Sequence, residues 1–260
     1  MRIGSMVLAV AMMTAVAAHG ETLERTFDRT FAVIPGARFA LANTNGRVTL
    51  HAWDQPQVRV HALERVRSRD AEEAKKAFAA LTIAAASEAG GVKIETRMPQ
   101  LRGGGLFEWI AGTNVDVNVD YEITVPRSMD VRIDNTNGAI EIAEVRGSML
   151  VSDTNGHIEC RACAGNIDAE TTNGAIRVEL VAVTPGRPIR LETTNGGVRV
   201  VVPRSISARI DASTTNGSVD TELPVTTTRL ERHALRGTVN GGGSELRIRS
   251  TNGSISIEAR

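Results

Sequence analysis

Apolar residues along this chain recur in pairs two positions apart, and the pairs flank a repeated Thr-Asn-Gly. Counting from the Asn of each repeat (Asn45, Asn137, Asn155, Asn173, Asn195, Asn216 and Asn252), the sixth and fourth positions before it are apolar every time. They hold Phe39 and Leu41, Val131 and Ile133, Met149 and Val151, Ile167 and Ala169, Ile189 and Leu191, Ile210 and Ala212, and Leu246 and Ile248. The third and fifth positions after it hold Val48 and Leu50, Ile140 and Ile142, Ile158 and Cys160, Ile176 and Val178, Val198 and Val200, Val219 and Thr221, and Ile255 and Ile257. Only Thr221 departs from the pattern. Period-two alternation on both sides of a Gly-containing corner predicts two short strands, each with one buried face. The Gly is expected to supply a positive φ there, next to an Asn, which tolerates the left-handed region better than most residues.

Through the middle of the chain the repeats are spaced by 18, 18, 22 and 21 residues, near the length of one solenoid coil. A second corner recurs at Gly147, Gly165 and Gly186. One hairpin of this size buries too little surface to be stable, whereas coils stacked about 4.8 Å apart pair every backbone group with the coil above and below. The fold expected is therefore all-β, a β-solenoid of stacked ~18–22-residue coils. The Asn side chains stand as a turn ladder, their amides bonded coil to coil. The final RSTNGSISIEAR is expected to end the stack, with charged and small polar residues protecting its edge strand.

Residues 54–127 interrupt the coils. Over 70–81, Asp70 reads as an N-cap with Glu73 three residues on, and Ala74, Ala77, Phe78 and Leu81 share one face, so a short amphipathic helix is predicted. TIAAASEAGGVKIETRM reads as strand, Gly turn, strand. Val115, Val117, Val119, Tyr121, Ile123 and Val125 then alternate in what is expected to be the longest strand. The organisation predicted is a signal peptide (1–20), an N-terminal β-rich cap with the first coil, the helix and the hairpin (21–128), and the repeat solenoid (129–260), continuous with the cap.

Charge narrows the partners. Lys plus Arg and Asp plus Glu each number 30, so nothing marks a nucleic-acid surface. One Arg followed by apolar or small residues from Met6 to Ala18 reads as a secretory signal, cut after Ala17, Ala18 or Gly20; the run is too short for the roughly 20 residues of a membrane span. The mature chain is expected outside the cytoplasm, in the periplasm or at the cell surface, without an integral span.

Candidate chemistry is sparse. Cys160 and Cys163 are the only cysteines. In the repeat alignment Cys160 takes the slot of Leu50, Ile142 and Val178, and Cys163 that of Val145 and Val181. Both are expected in the core, as thiols or as a local disulfide that an exported compartment permits. Two cysteines without ordered His or acidic partners do not make a zinc site. No nucleophile elbow, metalloprotease helix or phosphate loop occurs, so no catalytic residue, metal or cofactor is expected. Glu141 with Glu159, and Arg177 with Arg199, occupy the outward slot on adjacent coils, as the acid and base groups of a carbohydrate-active β-helix enzyme would; a solvated face with interleaved charges gives the same pattern. Leu106, Phe107, Trp109 and Ile110 cluster in a Gly-flanked loop of a chain with 3% aromatics. They either cap the core or form an exposed binding patch.

The AEEAKKAF helix, the ITVPRSMDVRIDNTNGAIEI passage and the serial T-N-G-x-I coils resemble the bacterial putative-adhesin β-strand-repeat family, a domain of unknown function, over roughly residues 25–260. The resemblance implies an exported β-solenoid with adhesion as the suggested role and no catalytic residues to carry over. The leading expectation is thus a non-enzymatic envelope or surface binding protein for a glycan, peptide or protein. The alternatives are a polysaccharide lyase or hydrolase, and a structural or envelope-stress signalling module.

Overall fold

A computed structural model of the chain describes residues 21–88, 90–97 and 115–260. In chain order, β1 (Glu21–Ala32) precedes the first coil, β2 (Arg38–Ala42) and β3 (Val48–Trp53). There follow β4 (Gln57–Ser68), α1 (Ala71–Ala80), β5 (Thr82–Glu88), β6 (Gly91–Arg97) and β7 (Val115–Pro126). The coils resume with β8 (Asp130–Asp134), β9 (Ile140–Ala143), β10 (Ser148–Asn155), β11 (Ile158–Asn173), β12 (Ile176–Val183), β13 (Ile189–Asn195), β14 (Val198–Val202), β15 (Ala208–Asn216) and β16 (Val219–Thr221). Last come β17 (Thr226–Glu231), β18 (Ala234–Val239), β19 (Ser244–Asn252) and β20 (Ile255–Ala259). The longest strand is β11, at 16 residues against 12 for β7, because it runs on through the corner at Gly165 instead of breaking there.

The chain folds as a β-solenoid with two principal faces. Strands that lead into each Asn form one sheet, in the order β5, β6, β2, β8, β10, second half of β11, β13, β19, β15, β18, β17. Strands that follow each Asn form the other: β1, β4, β7, β3, β9, first half of β11, β12, β14, β20, β16. The coil strands are parallel, and antiparallel strands close the leading sheet at both ends and the trailing sheet at the cap end. Every apolar pair before an Asn is buried, and so is every one after it except Thr221, so the core is the narrow space between the two sheets. Thr221 lies at the end of the trailing sheet, where its Oγ1 accepts from the Leu223 N–H at 3.1 Å and helps to turn the chain.

The Asp70 carboxylate accepts from the N–H groups of Glu72 and Glu73, and α1 buries Ala74, Ala77 and Phe78 against β1, β4 and β7. No helix among the described residues is long and apolar enough to cross a membrane.

Two further expectations change. The last coil does not end the stack: β19 and β20 are inserted between the Asn195 and Asn216 coils, pairing with β13 and β14 on one side and β15 and β16 on the other. The chain passes over a coil-sized gap, forms the Asn216 coil and the β17–β18 hairpin, and returns to fill the gap. Nor is positive φ the common reason for the corner glycines, since of the seven only Gly46, Gly138 and Gly253 adopt it. What they share is stacking distance. A Cβ on Gly174 would lie 1.9 Å from the Gly156 carbonyl oxygen, and one on Gly196 2.0 Å from that of Gly174.

Candidate functional site

The TNG corner is built as a hydrogen-bonded ladder. The Asn137 amide donates to Asn45 Oδ1 at 2.7 Å, and Asn155 to Asn137, Asn173 to Asn155, Asn195 to Asn173, Asn252 to Asn195 and Asn216 to Asn252, each at 2.8 Å. Every bond points toward the cap, where Asn45 donates to the Val117 carbonyl at 3.2 Å. All seven amides are thus engaged in bonds between neighbouring layers.

At its cap end the ladder meets the largest described concavity. Strand β7 pairs with β3 only from Tyr121 onward, while Val115–Asp120 pair with β4 alone. That first half crosses the corner of the first coil: Val119 N–H donates to Asn45 O and Tyr121 N–H to Arg47 O, both at 2.8 Å, and the Asn43 amide returns a bond to Val119 O at 3.2 Å. The outer face of the trailing sheet is concave here, a groove of about 830 Å³. Alternation decides what lines it. With Val60, Ala62 and Val66 of β4 and Val115, Val117 and Val119 of β7 turned into the core, the intervening His61, Leu63, Arg65 and Arg67 face the groove, opposite Asp116, Asn118, Asp120 and Glu122. Thr49 and His51 of β3 and Arg47 complete the wall.

The register sets a basic stripe beside an acidic one, with His61 opposite Glu122 and Arg67 opposite Asp116. Some charges are spent on the wall. Arg65 binds Glu24 at 2.9 Å and Asp120 at 3.2 Å, Asp120 also accepts from the Arg47 N–H at 2.8 Å, and His61 Nδ1 meets Asp28 at 2.8 Å. The side chains of Arg47, Arg67, Asp116 and Glu122 make no hydrogen bond or ion pair among the described residues. The groove therefore offers uncommitted cations and anions in an open polar trough, suited to a ligand rich in hydroxyls and charges. No group of three or more metal-ligating side chains occurs among the described residues.

The sequence candidates fall elsewhere. Leu106, Phe107, Trp109 and Ile110 lie outside the described residues. Glu141 and Glu159 are in register on neighbouring strands, as are Arg177 and Arg199. Arg161 donates to Glu141 at 3.0 Å and reaches Glu159 at 3.8 Å, while Arg199 binds Glu258 at 2.6 Å. Glu141, Glu159 and Arg199 are thus held in ion pairs, Arg177 has none among the described residues, and none of the four lines the groove. Cys160 and Cys163 are buried and joined as a disulfide. Cys160 pairs with Ile142 and Val178 as the alignment has it, but a register irregularity sets Cys163 beside Leu180, and Val181 points outward instead. The signal for the groove was present as interleaved charges in VRVHALERVRS and VDVNVDYE; what was missing was the antiparallel pairing that sets one opposite the other.

Two further concavities are smaller. One of about 660 Å³ runs along the leading sheet over the exposed Thr154, Thr172, Thr194, Thr251 and Thr215. The other, about 380 Å³, lies at the opposite corner between Ile34, Trp53, Pro56 and Pro126.

No protein of curated function matches the chain. Among solved structures, a protein of Clostridium sporogenes named "putative cell adhesion protein" is 13% identical, with 91% of this chain and 100% of its own covered and a TM-score of 0.44. A "putative adhesin" of Bacteroides fragilis is 9% identical, with 91% and 97% covered and a TM-score of 0.36. The Toastrack DUF4097 family profile matches residues 76–258, from the middle of α1 through β20. The chain belongs to the Toastrack DUF4097 family, whose function is unknown.

Proposed function

We propose that the protein is an exported, non-enzymatic binding protein of the cell envelope or surface, and that it holds a polar envelope ligand, a glycan or a peptide, in the groove between β3, β4 and β7. The observation that carries this reading is the uncommitted set of opposite charges, Arg47 and Arg67 against Asp116 and Glu122, in the largest described concavity. Strand pairing fixes the backbone on which these side chains stand before the ligand arrives, which lowers part of the ordering cost of binding. Export is supported by the apolar N-terminal run from Met6 to Ala18 and by the Cys160–Cys163 disulfide, which persists only in a compartment that is not reducing.

The test is co-sedimentation of the mature protein with purified envelope polysaccharide and, separately, with envelope peptide fractions, followed by calorimetry on whichever is retained. Replacing Arg67 by Glu and Glu122 by Arg keeps net charge and fold while inverting the groove. Retention should fall at least tenfold in the double variant and decline with salt. Undiminished retention, or breakdown of the bound polymer, would remove this reading.

A further inference from the structure

Two residues before each ladder Asn, the chain buries a polar side chain: Asn43, Asn135, Asp153, Thr171, Thr193, Thr214 and Ser250. Six of these act as donors toward the neighbouring layer on the cap side. Thr171 Oγ1 donates to the Gly156 carbonyl at 3.1 Å, Thr193 to Gly174 at 2.9 Å, Ser250 to Gly196 at 3.0 Å and Thr214 to Gly253 at 2.7 Å. Asn135 Nδ2 reaches the Gly46 carbonyl at 3.4 Å, and Asn43 Nδ2 that of Val119 at 3.2 Å. The slot thus requires a proton donor in every coil but one.

Asp153 is that one. The repeat aims it at the Gly138 carbonyl, yet an ionised carboxylate has no proton to give. Its Oδ1 and Oδ2 are buried without a hydrogen-bond partner, and so is Oδ1 of Asn135, which occupies the same slot one coil toward the cap. Gly138 O accepts instead from Asn135 Nδ2 of its own coil at 3.1 Å. Three buried acceptor atoms on adjacent coils therefore lack a donor, an arrangement that costs stability unless one is supplied.

The surroundings supply no cation. On β8, Arg132 and Asp134 point outward and bind each other; on β11, Glu170 points outward and accepts from Ser152 Oγ. The buried trailing-sheet residues of these two coils, Ile140, Ile142, Ile158 and Cys160, carry no charge, and His157 stands in the turn after Asn155. Burial pushes the Asp153 carboxyl up to about 6, and the nearby N–H groups of Thr154 and Asn155 offset this only in part, neither making a hydrogen bond.

The geometry points to Asp153 as a proton-binding site within the stack: protonated, it takes the donor role that Thr or Ser plays in the other coils, and deprotonation loosens the joint between the Asn137 and Asn155 coils. The folded chain holds this proton more tightly than the unfolded one, whose carboxyl titrates near 3.8. The stabilisation is therefore complete below that value and is lost as pH rises through about 6.

Thermal melts of the mature chain beside Asp153→Thr and Asp153→Asn test this. At about pH 7.5 both variants should melt several degrees above the parent, and the gap should narrow as pH falls through about 6 and close only near 3.8. The Asp153 carboxyl, followed by carbon NMR, should titrate near 6. A gap that stays constant with pH, or titration in the ordinary carboxylate range, overturns the proposal. So does recovery of the parent at neutral pH by added sodium, magnesium or calcium to the level of the variants, which would mean that these oxygens hold a metal cation instead.

Discussion

The two ends of the stack solve the same problem with unequal means. At the cap end, α1 and the long strands β1, β4 and β7 cover the first coil, and Glu64 is buried there at 2% exposure in an ion pair with Arg25. The same guanidinium donates to the Leu81 carbonyl at 2.9 Å and lies over the Phe78 ring at 4.9 Å. At the far end the leading sheet is closed by the β17–β18 hairpin, whose outer strand has all six residues exposed. One end carries the core on under a helix and three long strands; the other is closed by a hairpin with an exposed outer strand. The groove lies at the end with the deeper foundation, on strands paired on both sides.

The sharpest way to break this comparison is to remove residues 244–260. In a stack laid down in chain order, the loss would cost the terminal coil alone. Here it removes the partner of both β15 and β16, so residues 206–239 should lose protection together while 115–202 keep theirs, as read by hydrogen exchange. If 206–239 stay protected, the Asn216 coil has docked directly on β13 and β14, and the inserted coil is a replaceable spacer.

Next in size is Gly174→Ala. Its new Cβ would meet a backbone carbonyl at 1.9 Å, with no flexible side chain to yield, so a loss of about 4 kcal/mol in denaturant unfolding is expected. Gly186→Ala has open space around it and a positive φ, and should cost about 1 kcal/mol. Equal costs would mean that the neighbouring coil yields to the new Cβ and that stacking distance does not select glycine at Gly174.

The strand pairs and their corners were readable from the sequence because period two and a fixed Thr-Asn-Gly leave little freedom in which residues face inward. The order of the coils was not. Ile189 and Leu191 present the same apolar pair to a neighbour as Ile210 and Ala212 do, so any coil fits against any other, and the sequence holds no local mark of who is next to whom. The one available hint is the 36-residue interval between Asn216 and Asn252, enough for a hairpin and a return. The groove was half readable: alternation shows which side chains of β4 and β7 face outward, but its concavity depends on β7 crossing the corner of a coil some 70 residues away in sequence. Asp153 was readable in principle, as the one carboxylate in a column of amides and hydroxyls, but only after the buried column itself was known.

Arg25→Met tests the cap side of the comparison. The substitution keeps apolar contact with Phe78 and leaves Glu64 buried without its partner, which should cost about 3 kcal/mol. A cost under about 1 kcal/mol would indicate that β1 withdraws and lets water reach Glu64, making the cap less of a core than its burial implies.

Within the ladder the expected effects are smaller. Asn173→Ala removes a bond to Asn155 and one from Asn195, for about 1 kcal/mol, whereas Asn216→Ala at the free end of the ladder removes a single bond and should cost about half as much. A much larger loss at Asn173 would show that the amides reinforce one another along the row.

The smallest change is expected at Leu230→Ser. Leu230 is 68% exposed on β17, a strand that pairs only with β18, so unfolding stability should shift by less than about 0.5 kcal/mol. The informative readout is hydrodynamic size measured beside stability. With both unchanged, the far end is a free surface whose shield needs only backbone pairing, and the asymmetry between the ends holds. If the parent is larger than the variant in solution and also melts higher, Leu230 is covered by another copy of the chain. The far end would then be buried by association, just as the near end is buried by its helix.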